Sequence, residues 1–229
     1  SRALMPEDEG IDTDYLVSPG GHLCGSICVP GELSSAVFFM MAAAITPDSD
    51  LTLSQVSFNP TRAGVISFLQ LMGADVTTSA ERILNAEPVA DIRVRYARLK
   101  GCDIPEEVMA CVIDEFPMLC VAAACAQGKT HLTGALQRNR IEAMAKGLQA
   151  VGVVAEPLPD GIVITGGTLT GGEVDSFNDH RIAMAFVLAG IRAVDPIRIK
   201  CFDSVAPAFG DFVALTKQMG ISLEVINHY

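Results

Sequence analysis

The stretch Ser176-Phe-Asn-Asp179-His180-Arg181-Ile-Ala-Met-Ala-Phe-Val-Leu-Ala-Gly190 changes character in its middle. Its polar start turns into an Ala-rich apolar run, the pattern of a capped helix buried along most of its surface. Asn178 or Asp179 can accept hydrogen bonds from the first free N–H groups of that helix. His180 and Arg181 then fall in the first turn, where the helix dipole is already positive. A cation at that end is unfavourable unless an anion joins it, so the stretch reads as an anion-binding helix start.

The same pattern occurs twice more. Ser34-Ser35-Ala-Val-Phe-Phe-Met-Met-Ala-Ala-Ala and Asp114-Glu115-Phe-Pro-Met-Leu-Cys-Val-Ala-Ala-Ala also pass from polar residues into an Ala-rich apolar helix. Each of the three is followed by a short β-like run: Leu51–Val56, Thr130–Thr133 and Ile197–Phe202. Each run leads to a second, amphipathic helix, near 61–72, 139–151 and 209–219. All three second helices end alike, at Leu71-Met-Gly73, Ala150-Val-Gly152 and Gln218-Met-Gly220. A glycine there suits a left-handed residue just past a helix, and the next residues start a strand. Further strands are expected near 82–85, 91–95 and 162–165, with Asp160-Gly161 as a hairpin turn. The unit is β-α-β-α-β-β, used three times, which gives an α/β class. Residues 1–14 read as a linker or loose segment, and the units run about 15–90, 91–170 and 171–229. The third is incomplete, and its missing strand has to come from elsewhere.

If the units pack alike, their helix starts meet at one end of the domain. That end collects Ser34, Arg62, Asp114, Arg140 and Asp179-His180-Arg181. Arg forks beside helix N-termini suit phosphate or carboxylate groups.

Composition narrows the partners. Of the 229 residues half are hydrophobic and 19% are charged, enough for a large core without any Trp. A net charge of −11 argues against nucleic acid and against an anionic membrane surface. No apolar run is long enough to span a bilayer. Seven Cys is an odd number, and Cys111, Cys120 and Cys125 lie in apolar helical surroundings. Free buried thiols in a reducing cytoplasm fit this better than disulfides. Cys24 and Cys28 have no second Cys/His pair at zinc spacing, so no metal site is expected.

With these residues in place, the chain resembles the enolpyruvyl transferases, and among them the 5-enolpyruvylshikimate-3-phosphate synthases. The similarity rests on Gly20-Gly-His-Leu-Cys-Gly25, Val29-Pro-Gly-Glu-Leu-Ser-Ser-Ala36, Asn59-Pro-Thr-Arg62, Leu71-Met-Gly-Ala-Asp75, Ile113-Asp-Glu-Phe-Pro117 and Asn178-Asp-His-Arg-Ile-Ala-Met184, in this order. The resemblance implies one domain, the C-terminal one, of a two-domain inside-out α/β barrel. Its third unit is completed by a strand from the start of the full chain, and its active site lies in the cleft with an N-terminal domain. The implied reaction moves the enolpyruvyl group of phosphoenolpyruvate to the 5-hydroxyl of shikimate 3-phosphate and releases phosphate, without a metal or other cofactor. Asp114 matches the carboxylate that accepts the hydroxyl proton, while by itself it also reads as a helix cap. Arg140 and Arg181 match phosphoenolpyruvate ligands, and Asp179 and His180 are site support.

One departure stands out. The family has a Leu-Arg-Val-Lys-Glu-Ser-Asp-Arg-Ile segment before the second helix of the middle unit. Here Gly134-Ala-Leu-Gln-Arg-Asn-Arg140-Ile141 replaces it, with no counterpart for the Lys or the Glu, and Gln137 cannot serve as an acid. Ala206-Pro-Ala-Phe-Gly-Asp211 also lacks the Lys expected near the C-terminus. The chain alone is therefore expected to be inactive. Two rivals stay open. The sister reaction on UDP-N-acetylglucosamine shares the fold, but the Asn178–Met184 run speaks against it. A binding domain without catalysis is favoured by the missing Lys and Glu and opposed by the retained Asp114, Arg140 and Arg181.

Overall fold

The computed structural model describes residues 30–58, 64–85, 87–135 and 137–226. Its first unit contains α1 (Leu33–Ile45), β1 (Asp50–Ser57), α2 (Gly64–Leu71), β2 (Asp75–Leu84) and β3 (Glu87–Arg95). The second has β4 (Asp103–Ile104), α3 (Glu106–Cys111), a 3-10 turn at Ile113–Glu115, α4 (Phe116–Ala124), β5 (Lys129–Thr133), α5 (Arg138–Ala150), β6 (Val154–Leu158) and β7 (Gly161–Thr165). The third runs β8 (Gly172–Asp175), α6 (His180–Arg192), β9 (Ile197–Lys200), a 3-10 turn at Phe202–Ser204, α7 (Val205–Ala208) and α8 (Phe212–Gln218).

The core is a packed trio, α1, α4 and α6. These helices can sit inside because they are apolar nearly all round: every residue of α4 is buried, as are eleven of the thirteen in α1. Each core helix lies on its own sheet, α1 on β1 and β3, α4 on β5 and β7, α6 on β9. The sheets repeat one topology. Their orders are β1-β3-β2 and β4-β5-β7-β6, with β3 antiparallel to both β1 and β2 and β7 antiparallel to both β5 and β6. β4 runs parallel to β5, β8 runs parallel to β9, and the parallel bridge from Gly31 to Val56 occupies the same place in the first sheet.

The helix stops follow the threefold pattern closely. Gly73, Gly152 and Gly220 have φ of 80°, 85° and 82°. The N–H after each glycine bonds back five residues: Ala74 to Leu69 O (2.8 Å), Val153 to Leu148 O (2.9 Å) and Ile221 to Thr216 O (2.9 Å). That is the double-bonded glycine cap expected from sequence, and a side chain at these positions would be strained.

Several expectations shift. Asp114 does not cap α4. At the start of α1 the Ser35 hydroxyl bonds Glu32 (3.1 Å), and no side chain caps that helix. Asp114 lies in the 3-10 turn before α4, whose first turn contains a proline that cannot donate. The third β-run ends at Lys200, because Cys201 turns left-handed with φ 57°. Residues 221–226 pair with no strand, unlike their counterparts β2 and β6. The β6–β7 turn is Pro159-Asp160, since Leu158 pairs with Gly161. Cys120 is buried and Cys125 half-buried, but Cys111 is exposed at the end of α3. Arg62, Cys24 and Cys28 lie outside the described residues. Among those described, no helix is long and apolar enough to cross a membrane.

The close approach of α5 to α6 depends on Gly147. A Cβ there would lie 2.3 Å from the ring of Phe186, which is fully buried and cannot move aside. Gly147→Ala gains about 1 kcal/mol of helix propensity but overpacks the core by about 1–3 kcal/mol. The expected net result is a melting temperature lower by a few degrees in thermal denaturation. An unchanged or raised value would contradict this packing.

Candidate active site

The site is assembled from three helix starts. It begins with Ser176, fully buried, whose hydroxyl donates to the Cys201 carbonyl at 2.9 Å and ties the end of β8 to that of β9. The chain then turns through two successive left-handed residues, Phe177 (φ 52°) and Asn178 (φ 58°). Neither is glycine, so the turn is strained. It is held by the Phe177 N–H on Asp175 Oδ1 (2.7 Å) and the Asp179 N–H on the Ser176 carbonyl (2.9 Å).

The turn delivers Asp179 to the N-cap of α6. Its Oδ1 accepts from the N–H groups of Arg181 (2.9 Å) and Ile182 (3.3 Å), a cap of about 1 kcal/mol. Its Oδ2 accepts from Arg140 Nε at 2.7 Å. One carboxylate therefore starts α6 and holds an Arg from the first turn of α5.

Arg140 has a second restraint, since its Nη1 donates to Gln137 Oε1 at 2.8 Å. Asp114 Oδ1 lies 4.0 Å from the same nitrogen. Arg181 is held from another side, its Nη1 donating to Glu115 Oε1 at 3.3 Å. The two Arg side chains are 22% and 20% exposed and Glu115 only 10%, whereas Asp114 is 64% exposed. Asp114 is thus the carboxylate open to an incoming group.

His180 is half-buried beside these charges. Burial lowers its pKa, with Arg181 and then Arg140 adding to the effect against an opposing Asp179. Its imidazole is neutral at neutral pH and adds no charge to the cluster.

The structure brings together Asp114, Arg140, Asp179 and Arg181. Among the described residues, no side-chain bond joins Ser34 to this cluster. Sequence reasoning missed Glu115 and the bond from Gln137. The Asp114-Glu115 doublet was a signal: two acids before an apolar, proline-started helix leave one of them to be buried and paired. The connection from β5 to α5 is short, residues 134–137, with Gly134 left-handed (φ 82°).

The lowered His180 pKa has a sign that can be measured. The unfolded state takes up its proton near pH 6.5, above the folded value, so this group costs stability as pH falls below that point. An NMR titration of the His180 ring should give a midpoint below about 6.5. A midpoint at or above it would contradict the buried, cation-flanked setting.

Comparison with known proteins gives a consistent family. The family model for EPSP synthase (3-phosphoshikimate 1-carboxyvinyltransferase) matches residues 7–215. The 3-phosphoshikimate 1-carboxyvinyltransferase of Coxiella burnetii is 51% identical over 214 residues, 91% of this chain and 49% of its own length. That of Methylococcus capsulatus is 50% identical over 215 residues, again 91% of this chain and 49% of its own. The structure of EPSP synthase from Acinetobacter baumannii superposes with a TM-score of 0.86 at 46% identity, covering 91% of this chain and 50% of that one. The enolpyruvyl transferase NikO from Streptomyces tendae, with a TM-score of 0.62 at 16% identity over 83% of this chain and 43% of its own, shares the fold. The chain spans about half the length of the curated relatives it matches. With its fold, its threefold units and most of its length in register with these proteins, the chain belongs to the EPSP synthase (3-phosphoshikimate 1-carboxyvinyltransferase) family.

Proposed function

We propose that this chain is the phosphoenolpyruvate-holding half of a cytoplasmic shikimate-pathway enzyme, which transfers an enolpyruvyl group to the 5-hydroxyl of shikimate 3-phosphate. The observation that carries this reading is the convergence of Arg140 and Arg181, each steadied by a carboxylate, beside the exposed Asp114. Planar guanidinium forks match the carboxylate and phosphate of phosphoenolpyruvate better than point charges would.

In this mechanism Asp114 accepts the proton of the 5-hydroxyl as its oxygen attacks C2 of phosphoenolpyruvate. The methylene carbon gains a proton, giving a tetrahedral intermediate. That intermediate then loses a proton and expels phosphate. Arg140 and Arg181 stabilise the anionic groups throughout, and their carboxylate partners hold them in place before the substrate arrives. His180, neutral and half-buried, stands beside Arg140 and Arg181 as support for the site.

Two features argue that the chain needs a partner domain. The cluster has three carboxylates, Asp114, Glu115 and Asp179, against two guanidinium groups, a formal balance of −1. Two substrates, each with both a carboxylate and a phosphate, need further cations from across the cleft. Also, a groove of about 940 Å³ separates β9 from residues 221–226, lined by Val187, Ile197, Ile199, Ile221 and Leu223. In the other two sheets the equivalent place is filled by β3 or β7. We assign this groove to a strand of the N-terminal part of the enzyme. The acid that protonates the methylene carbon is not supplied by Gln137, the residue that holds Arg140 in the shortened connection.

The purified chain should therefore bind phosphoenolpyruvate weakly and turn over nothing. NMR titration should give a dissociation constant of about a millimolar or weaker. Arg181→Lys should weaken it about tenfold further, since Lys cannot reproduce the fork. Steady-state turnover above background, or an affinity unmoved by Arg181→Lys, would contradict the proposal.

A further inference from the structure

We infer that Glu115 is a positioning residue: its carboxylate fixes the direction of the Arg181 guanidinium and thereby sets the affinity of the site for an anionic substrate. This rests on the proposed role of Arg181 and adds a residue that the family resemblance did not single out. Three observations carry it.

The first is burial. Taken as a whole residue, backbone included, Glu115 is 7% exposed, the least exposed charged residue of the described chain, and it stands where the 3-10 turn enters a wholly buried helix. A carboxylate in that place is costly unless it is paired. Its partner is Arg181 Nη1 at 3.3 Å, sixty-six residues away in sequence.

The second is geometry. Glu115 makes no cap bond to α4, so its side chain is free of the local role that an acid at a helix start usually has. Arg181 is the cation whose place in the positive first turn of α6 was unexplained. Glu115 supplies a resident counter-charge from a neighbouring helix and leaves the remaining edges of the guanidinium for a ligand.

The third is the pattern. Asp179 holds Arg140 of α5, and Glu115 from the turn before α4 holds Arg181 of α6. Three helix starts are laced by two carboxylate–guanidinium pairs, and each Arg is aimed by an acid on a different element. A long side chain with many rotamers becomes a fixed fork only when one edge is anchored.

Reach and charge can be separated by two substitutions. Glu115→Gln keeps the length and an acceptor oxygen but loses the charge. Glu115→Asp keeps the charge but is one methylene too short. If Glu115 positions Arg181, Glu115→Asp weakens phosphoenolpyruvate binding about tenfold. Glu115→Gln stays within about threefold of the parent or binds tighter, as a negative charge has been removed. NMR of the Arg181 guanidinium without ligand gives an independent readout: slow, separate Nη signals in the parent and Glu115→Gln, averaged signals in Glu115→Asp. Circular dichroism reports whether each variant is folded.

The inference is overturned if Glu115→Asp keeps both affinity and slow Nη signals, or if Glu115→Gln loses them as Glu115→Asp does. Arg181→Lys separates the two levels. If it leaves affinity unchanged, the site assignment fails, while the Nη signals still decide whether Glu115 aims Arg181. If it weakens binding but Glu115→Asp does not, the assignment stands and Glu115 has no positioning role.

Discussion

The site depends on the two oxygens of Asp179. One closes the free N–H groups at the start of α6, and the other holds Arg140 of α5. Neither task tolerates much movement in the other, because the same short side chain serves both. The strained turn at Phe177 and Asn178 exists to deliver this carboxylate, and the buried Ser176 hydroxyl holds the turn against β9. Strain in one corner is thereby offset by bonds in three elements. The buried trio of α1, α4 and α6 provides the stiff frame behind it, which keeps the starts of α4 and α6 in a fixed relation.

Such a cluster holds its cations in fixed positions without a net positive charge. Each Arg is paired before any substrate arrives, so the cost of burying the cation is met inside the domain. The result is two anchored guanidinium forks and a local charge that is slightly negative. This division fits a cleft enzyme, in which one half supplies aimed groups and the other supplies the field that draws the substrates in. The short connection from β5 to α5 belongs to the same account. It keeps Arg140 in place through Gln137, yet it gives the site no acid at that position.

Much of the fold was legible because the sequence repeats its own punctuation. Gly73, Gly152 and Gly220 close three helices by the same pair of backbone bonds, and three Ala-rich runs can only be core helices. The capped start of α6 was legible too, since Asp179 caps and Arg181 follows. What failed was local chemistry that depends on partners far away in sequence. Nothing near Glu115 says that a guanidinium sixty-six residues on will make its burial affordable. The strand expected after Gly220 failed for a similar reason: pairing needs a neighbour, and between β9 and residues 221–226 there is a groove.

The central claim is that Arg140 and Arg181 together grip one anionic substrate. It is tested most directly by a crystal structure of the chain grown with phosphoenolpyruvate at saturating concentration. Ligand oxygens are expected about 2.7–2.9 Å from nitrogens of both guanidinium groups, with the Asp179–Arg140 and Glu115–Arg181 pairs retained. Phosphoenolpyruvate bound elsewhere while both Arg side chains keep only their protein partners would contradict it.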